Sequence, residues 1–229
     1  MKRANIDNTL IVIPVYDSGL YLEKLFDRIE SVCAGYNVLC VDDGSVDNSR
    51  DILKERNINF VSHDRNRGKG HALKTGMMYA KNNGYKFAIT MDSDLQHDPR
   101  CIPNFFTTQN VEDADLVIGF RDFGLLKQNT MPFMRVMSNT MTSGIVSCVS
   151  KRNILDSQSG FRMYNLELFD ENEITTDRYQ METEILFSYI HKNAVVSHVE
   201  IPIVYGGEKS HISHLRDIVN FVKVVIKEV

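Results

Sequence analysis

The fold of this 229-residue chain is decided by the segment ITMDSDLQHDP, residues 89–99. It begins as an apolar, strand-forming run and ends abruptly in two carboxylates, Asp92 and Asp94. Because side chains alternate along a strand, we expect both acids to leave the strand end on the same side and to converge on one cation. Hard oxygen ligands without Cys or paired His favour Mg²⁺ or Mn²⁺. The segment therefore predicts a metal site at a strand end, and the plainer alternative is a loop with solvated acids.

Two earlier apolar runs have the same design. LIVIPVY spans residues 10–16, and VLCVDDGS spans residues 38–45 and also ends in acids and a turn. Continuous β-branched runs of this length indicate buried parallel strands, each followed here by a helical pattern. The apolar residues of the first helical pattern are Leu20, Leu22, Leu25, Phe26 and Ile29. Ser45 or Asp47 is a candidate cap for a second helix that runs through Arg56.

Three predicted strands thus carry polar or acidic residues to one edge of a sheet. Asp42 and Asp43 follow the second strand, just as Asp92 and Asp94 follow the later one. In open α/β sheets, ligands bind at the carboxyl ends of the strands. The sequence therefore predicts a binding site at this edge.

Five motifs, in this order, resemble those of the family 2 glycosyltransferases. They are IPVY at residues 13–16, VDDGS at 41–45, NRGKG at 66–70, DSDLQH at 92–97 and QSGFR at 158–162. The chain is most similar to the branch of dolichyl- or polyprenyl-phosphate mannose and glucose synthases, from about Leu10 to Leu215. The resemblance implies the GT-A fold: a single α/β domain with a mixed, mostly parallel sheet flanked by helices. It also implies a nucleotide-sugar donor and a divalent cation, Mg²⁺ or Mn²⁺.

The donor side is assigned by this resemblance. The metal ligands would be Asp92, Asp94 and Gln96, with Asp94 as the main one. The residues expected around the nucleotide sugar are Pro14, Tyr16, Asp42, Asp43, Lys69, Asp92, Lys209 and Ser210. One departure from the family pattern lies beside Tyr16, where Asp17-Ser18 replaces the usual Asn-Glu.

The acceptor side is assigned in the same way to Arg121, Arg135 and Ser138, which would bind an acceptor phosphate. Guanidinium groups suit a phosphate because they offer planar, bidentate donors; ordinary solvated or salt-bridged arginines are the alternative. Glu184 is expected near the reacting carbon of the donor, and its neighbour Glu182 is interpreted as a solvated helix acid. Asp156 is a second acid expected near the acceptor.

The organisation expected from these assignments is one domain over residues 1–229. Residues 8–120 would bind the donor, residues 121–214 the acceptor, and residues 215–229 would form an amphipathic helix that packs on the core or lies at a membrane surface. The net charge of −4 argues against nucleic-acid partners. The four cysteines lack metal-ligand spacing and are expected to be reduced, buried thiols of a cytoplasmic protein. No signal peptide or apolar segment of about 20 residues is visible, so any membrane contact would be peripheral.

The leading hypothesis is an inverting transfer of a sugar from a nucleotide-sugar of the GDP-mannose or UDP-glucose type to a polyprenyl phosphate. The first alternative is transfer to a hydroxyl of a glycan, lipid or protein in cell-surface polysaccharide synthesis. The second, of another class, is an inactive module that only binds nucleotide sugars. The acceptor matters for mechanism, because a phosphate is already an anion whereas a hydroxyl needs a general base.

Overall fold

The structure is a computed structural model that describes residues 3–32, 35–122, 133–176, 180–204 and 225. Its strands form one sheet: β1 Thr9–Val15, β2 Asn37–Asp42, β3 Asn59–Ser62, β4 Phe87–Thr90, β5 Leu116–Phe120, β6 Arg162–Asn165 and β7 Val196–Glu200. The α-helices are α1 Gly19–Val32, α2 Ser49–Glu55, α3 Lys69–Asn82, α4 Ile102–Glu112, α5 Phe133–Ser150 and α6 Met181–His191. Short 3₁₀ helices cover Ile6–Asn8, Pro99–Cys101 and Glu171–Glu173.

The sheet is mixed and mostly parallel, in the order β3-β2-β1-β4-β6-β5-β7. β1 pairs in parallel with both β2 and β4, β2 with β3, and β5 with β7. Only β6, among the described strands, runs against its neighbours β4 and β5. The predicted single α/β domain with a mixed sheet is confirmed. The boundary drawn near residue 120 between a donor half and an acceptor half stays a prediction.

Both faces of the sheet are covered, which explains why all seven residues of β1 are buried. One core lies on the side of α1 and α4 and includes Phe26, Ile102 and Phe105. The other lies on the side of α3 and α6 and includes Leu73 and Met77. Helices on both faces of a mostly parallel sheet are the arrangement that continuous apolar strands require.

The helical pattern after β1 is largely as predicted. The residues that α1 buries include Leu22, Leu25, Phe26 and Ile29. Leu20 is the exception, since it is 90% exposed on the solvent side of the helix. The second helix begins later than expected, at Ser49. Asp47 still caps it, because its carboxylate accepts a 2.9 Å hydrogen bond from the Ser49 backbone N–H.

The strand order changes direction between β1 and β4, and this opens a crevice at their carboxyl ends. The pairing of β4 with β1 stops at Thr90, opposite Val12, whereas β1 continues beside β2 to Val15. Because the backbone N–H groups alternate in direction along β1, the nitrogen of Pro14 points towards the side of β4. The pairing with β4 has ended before this position, so the missing N–H of Pro14 removes no hydrogen bond between the strands. Such a switch point is where open α/β sheets bind their ligands.

Two further predictions concern the C-terminal helix and the cysteines. Of the predicted C-terminal helix over residues 215–229, the structure describes Val225, which is helical, buried and part of the core beside α6. Cys40 and Cys101 are buried free thiols as expected, but Cys148 is exposed. Within the described ranges, every helix is too short or too polar to cross a membrane.

Candidate active site

The acidic segment that follows β4 is an irregular loop rather than the end of the strand. β4 ends at Thr90, so strand alternation does not set the directions of Asp92 and Asp94 as predicted. The loop folds around its own acids instead. The Gln96 N–H donates to Asp94 Oδ1 at 3.0 Å, and Leu95 between them has a φ of 65°.

The His97 side chain packs under this loop and supports it. Its ring stacks on Phe161 with centroids 5.0 Å apart, and its Nδ1 accepts the Asp92 N–H at 2.9 Å. Burial lowers the pKa of His97 to about 4, more than the nearby Asp92 charge raises it. The imidazole is therefore neutral near pH 7, with its proton on Nε2 while Nδ1 accepts. His97 supports the backbone of Asp92 and so fixes where that side chain begins.

A cluster of three charged side chains lies at the crevice. Lys69 Nζ is 2.7 Å from Asp92 Oδ1 and 3.1 Å from Glu182 Oε1. The side chains are 20%, 25% and 6% exposed in that order, so the ammonium is shared by two largely dehydrated carboxylates. Burial alone would lower the pKa of Lys69, but Asp92 and Glu182 outweigh it and raise that pKa. Burial likewise works to raise the pKa of Asp92, and Lys69 overcomes it and holds that pKa below its usual value.

Asp92 Oδ1 and Glu182 Oε1 are buried, and the Lys69 ammonium is in contact with both oxygens. Two carboxylates that share one buried cation concentrate charge at the crevice, and ionisable groups perturbed in this way are common at functional sites.

Gly160 makes room for the cluster. A Cβ at this position would lie 2.8 Å from both Glu182 Oε1 and Lys69 Nζ, and 3.4 Å from Asp92 Oδ2. The Gly160 carbonyl accepts a hydrogen bond from Thr90 Oγ1 at 2.8 Å, which ties this backbone to the end of β4. The glycine of the QSGFR motif is thus required by the close approach of three charged groups.

Arg162 holds Glu182 in place from below. Its guanidinium is fully buried and donates to the backbone carbonyls of Ser159, Glu182 and Ser157, each at 2.7 Å. These bonds join the first turn of α6 to the loop before β6. The buried guanidinium therefore has a structural role: it positions Glu182 through its backbone carbonyl rather than through its carboxylate.

Glu184 has different surroundings from those predicted. Its carboxylate accepts four hydrogen bonds, from the backbone N–H and the side-chain hydroxyl of both Thr175 and Thr176, at 2.7–3.0 Å. Glu182, which the sequence suggested to be solvated, is only 5% exposed and faces Lys69. Acids two apart do not share a helix face, so only one of them can point at the crevice. The candidate acid at the crevice is therefore Glu182 rather than Glu184.

Asp42 and Asp43 are buried and engaged by protein groups, whereas the sequence placed them against the nucleotide. Asp42 accepts from the Ser45 N–H at 3.0 Å and forms an ion pair with Arg50. Asp43 accepts the backbone N–H groups of residues 67 and 68 and lies 2.7 Å from His63 Nδ1. Asp43 therefore holds the glycine-bearing loop that leads into α3, and with it the backbone at Lys69, whereas Asp42 holds the turn at Ser45 and the α2 residue Arg50.

Arg121 and Asp156 form a pair on the acceptor side of the crevice. Asp156 is fully buried and accepts from Arg121 Nε at 2.8 Å, Arg121 Nη2 at 3.2 Å and Asn139 Nδ2 at 3.1 Å. The Arg121 charge is close enough to lower the pKa of Asp92. Asp156, expected to be a second acid near the acceptor, is thus the counter-ion of Arg121. Ser138 lies half-buried on α5, one residue before Asn139.

The turn after β1 carries a connection that the sequence did not reveal. Ser18 Oγ lies 2.9 Å from Ser93 Oγ, so the departure at Asp17-Ser18 joins this turn to the acidic loop. Asp17 Oδ1 accepts the Val46 N–H at 2.8 Å. Tyr16 is 48% exposed at the mouth of the crevice, and Pro14 is buried beneath it. No motif for such a hydroxyl pair exists, because it depends on two loops that meet only in the fold.

Three predicted site residues have no described side chain. Lys209 and Ser210 lie outside the described residues, as does the side chain of Arg135 on α5. Within the described part of the chain, no three His, Cys, Asp or Glu side chains converge as a metal cage. The donor set still fits a divalent cation, because Mg²⁺ sites often use one or two carboxylates together with substrate phosphates. The observation that supports this fit is that Asp92 and Glu182 already hold one cation, the Lys69 ammonium.

The same sheet and helix arrangement occurs in a solved glycosyltransferase structure. Glucosyl-3-phosphoglycerate synthase from Mycobacterium tuberculosis, crystallised with Mn²⁺, uridine diphosphate and phosphoglyceric acid, matches with a TM-score of 0.72. The match covers 96% of this chain and 76% of that chain at 18% identity, a level at which the likeness shows the fold alone. The protein therefore has the GT-A fold of glycosyltransferases.

The sequence comparisons lead to the family. The model of glycosyl transferase family 2 matches residues 10–172, and the chain belongs to this family. It is 26% identical over 216 residues to the UDP-N-acetylglucosamine–dolichyl-phosphate N-acetylglucosaminyltransferase of Methanococcus voltae, with 85% of each chain covered. It is 27% identical over 204 residues to the dolichol-phosphate mannosyltransferase of Pyrococcus furiosus, with 86% of this chain and 56% of that one covered. The resemblance to the polyprenyl-phosphate branch is confirmed, and the protein is a glycosyltransferase.

Proposed function

We propose that this glycosyltransferase moves a sugar from a nucleotide sugar of the GDP-mannose or UDP-glucose type to the phosphate of a polyprenyl phosphate, with inversion. The relatives' names support this acceptor class, since two of them act on dolichyl phosphates. The observation that carries the proposal is the charged cluster at the switch point, where Asp92 and Glu182 face one cation, Lys69, in a space that Gly160 leaves open. The protein would work on the cytoplasmic face of a membrane as a peripheral protein.

On the donor side, Asp94 and Asp92, with Gln96, would hold Mg²⁺ or Mn²⁺. When bound, the ion would neutralise the diphosphate as negative charge develops on the leaving oxygen. Tyr16, exposed at the mouth of the crevice above Pro14, would contact the base. Asp43 would act through the loop it holds before α3, and Asp42 through Ser45 and Arg50, rather than through the nucleotide. Lys69 would add a positive charge beside the diphosphate, and Lys209 and Ser210 remain candidates for the same role.

On the acceptor side, Arg121 would orient the phosphate, with Arg135 and Ser138 on α5 as further candidates. The buried Asp156 holds the Arg121 guanidinium at the crevice. The phosphate oxygen would attack the anomeric carbon opposite the leaving diphosphate, which inverts the configuration. This attack needs no base, because the acceptor is already an anion near neutral pH.

One observation favours a second candidate, transfer to a hydroxyl. Glu182 is a buried carboxylate at the crevice, as a general base for a hydroxyl acceptor would be, and it lies 3.1 Å from Lys69.

The experiment is a transfer assay with two matched acceptors, undecaprenyl phosphate and undecaprenol, which differ only in the phosphate. Each is incubated with a panel of nucleotide sugars and Mn²⁺, and the lipid products are identified by mass spectrometry. We expect a glycosyl phosphoprenol from the phosphate acceptor, lost on addition of EDTA, and no product from undecaprenol. Glycosylated undecaprenol would favour the hydroxyl acceptor instead, and EDTA-resistant transfer would refute the metal requirement.

A further inference from the structure

We propose that Lys69 is an exchangeable counter-cation: it neutralises Asp92 and Glu182 while the site is empty, and it leaves Asp92 when a divalent cation binds there. This inference rests on the proposed function, because it supposes that Asp92 takes part in metal binding. It assigns to Lys69 a role beyond contact with the donor, namely control of when the metal can bind.

The cluster is assembled from three separate elements. Lys69 is the first residue of α3, Asp92 lies in the loop after β4, and Glu182 lies in the first turn of α6. Two carboxylates that face the same small volume repel each other, and burial increases the repulsion because the local dielectric constant is low. A single ammonium 2.7 Å and 3.1 Å from the two oxygens cancels it. Without a cation at this point, the empty site would be destabilised.

The ammonium and a metal ion cannot share the Asp92 oxygen. Lys69 Nζ lies 2.7 Å from Asp92 Oδ1, and a Mg²⁺ ion that bound this oxygen would approach it to about 2.1 Å. Two cations that close would repel each other strongly. One of them must therefore leave, and the lysine can do so because its charge sits at the end of a flexible four-carbon stem.

The surroundings allow this movement without a change in the fold. Gly160 lies beside Nζ and carries no side chain to obstruct it. The backbone at Lys69 is held independently, because Asp43 binds the N–H groups of residues 67 and 68 just before α3. The side chain is 20% exposed towards the crevice, where the donor diphosphate would offer the ammonium a new anionic partner.

The test measures binding of Mn²⁺ alone, without nucleotide, from the electron paramagnetic resonance signal of the free ion. Lys69→Met removes the competing charge and keeps a similar length, so we expect Mn²⁺ to bind about tenfold more tightly than to the wild type. Lys69→Arg keeps the charge and should stay near the wild-type affinity. Affinity for uridine or guanosine diphosphate at saturating Mn²⁺ should fall in Lys69→Met, because the ammonium is no longer available to the diphosphate.

Lys81→Met is the matched control. Lys81 lies on the same helix, but its Nζ donates to the Phe169 carbonyl, away from the cluster. It should leave Mn²⁺ affinity unchanged, and thermal melts of all variants show whether each is folded. If Lys69→Met is unfolded, Lys69→Gln provides the same loss of charge.

The outcomes separate this inference from the proposed function. If neither the wild type nor folded Lys69→Met binds Mn²⁺, and Mn²⁺ leaves the affinity for the nucleoside diphosphate unchanged, both are overturned. A wild type that binds Mn²⁺, with equal or weaker binding in folded Lys69→Met, overturns the exchange while the proposed metal site survives. Tighter binding in Lys69→Met and unchanged binding in Lys81→Met would support the exchange.

Discussion

At the scale of single residues, the site separates charges that bind substrates from charges that hold the fold. Glu182 and Glu184 are two positions apart on α6, yet one faces Lys69 and the other is saturated by Thr175 and Thr176. The sequence shows that they cannot share a helix face, but it does not show which face meets the crevice. That depends on Arg162, whose buried guanidinium sets the rotation of the first turn of α6 through the Glu182 carbonyl.

The two glutamates therefore predict opposite phenotypes for the same substitution. Glu184→Gln places an amide group among four donors, so the free energy of unfolding should fall by about 1.5–3 kcal/mol, with turnover unchanged in the folded protein. Glu182→Gln should keep the stability and slow turnover by less than about tenfold, since a phosphate acceptor needs no base. Urea unfolding and steady-state kinetics on both variants measure this. If Glu182→Gln instead slows turnover by a factor of about 10²–10⁴, the enzyme removes a proton from a hydroxyl acceptor.

Arg121 combines a structural and a binding role, and the two can be measured apart. Arg121→Ala leaves the buried Asp156 carboxylate without its main partner, which should cost of the order of 3 kcal/mol of stability. It should also raise the KM for undecaprenyl phosphate. In the double variant with Asp156→Asn the orphaned charge is gone, so stability should recover while KM stays high. If KM recovers together with stability, Arg121 does not contact the acceptor.

At the scale of elements, the loop before β6 is as decisive as the acidic loop after β4. β6 begins only at Arg162, the last residue of the QSGFR motif, and the residues before it form the wall of the cluster. The motif therefore works through backbone positions: carbonyls that bind Arg162, and a glycine that leaves space for three charged groups.

Gly160 and Gly144 form a matched pair that tests this interpretation. Gly160→Ala would place a methyl group 2.8 Å from Glu182 Oε1 and Lys69 Nζ, so we expect a loss of about 1–3 kcal/mol in stability and a marked fall in transfer activity. Gly144 lies within α5 with open space around it, and Gly144→Ala should stabilise the protein by about 0.5–1 kcal/mol. Thermal melts and transfer assays decide. Wild-type activity in Gly160→Ala would show that the close packing is not needed for function.

Sequence reasoning succeeded where the pattern is local and continuous. The apolar runs of β1, β2 and β4 and the stripe of α1 were recognised because burial on both faces of a sheet, or on one face of a helix, leaves a regular pattern. The sequence did not reveal the protein groups that bind Asp42, Asp43 and Asp156, whose roles at the site stay predictions. Whether a carboxylate at a strand end binds a ligand or a neighbouring loop depends on which donors the fold brings to it, and those donors lie up to 35 residues away in the chain.

At the scale of the whole molecule, the described residues include an exposed apolar stripe on α5. Met137, Met141 and Ile145 recur every four residues along this helix and are 47%, 58% and 37% exposed. The same helix carries Asn139, which donates to Asp156, the partner of Arg121. Under the proposed function this stripe, defined by its three apolar residues, would be the peripheral membrane contact from which a lipid-linked acceptor reaches Arg121.

Replacing all three stripe residues by Gln tests this contact. We expect weaker co-sedimentation with phospholipid vesicles and a higher KM for undecaprenyl phosphate, with nucleotide affinity unchanged. Val111, which is 78% exposed on α4, provides the control: Val111→Gln also removes an exposed apolar side chain, but on another helix. Unaltered vesicle binding and KM in the stripe variant would place the membrane contact elsewhere.

The central claim is that a divalent cation and the donor diphosphate meet at the carboxyl ends of β1 and β4. The most direct measurement is a crystal structure of the protein grown with Mn²⁺ and uridine or guanosine diphosphate, with diffraction recorded at the manganese absorption edge. The account predicts an anomalous peak about 2.1 Å from a carboxylate oxygen of Asp94 or Asp92, with Lys69 turned away from Asp92 towards the diphosphate. A nucleotide bound in the crevice with the manganese peak elsewhere, or with no peak and Lys69 still on Asp92, would contradict it.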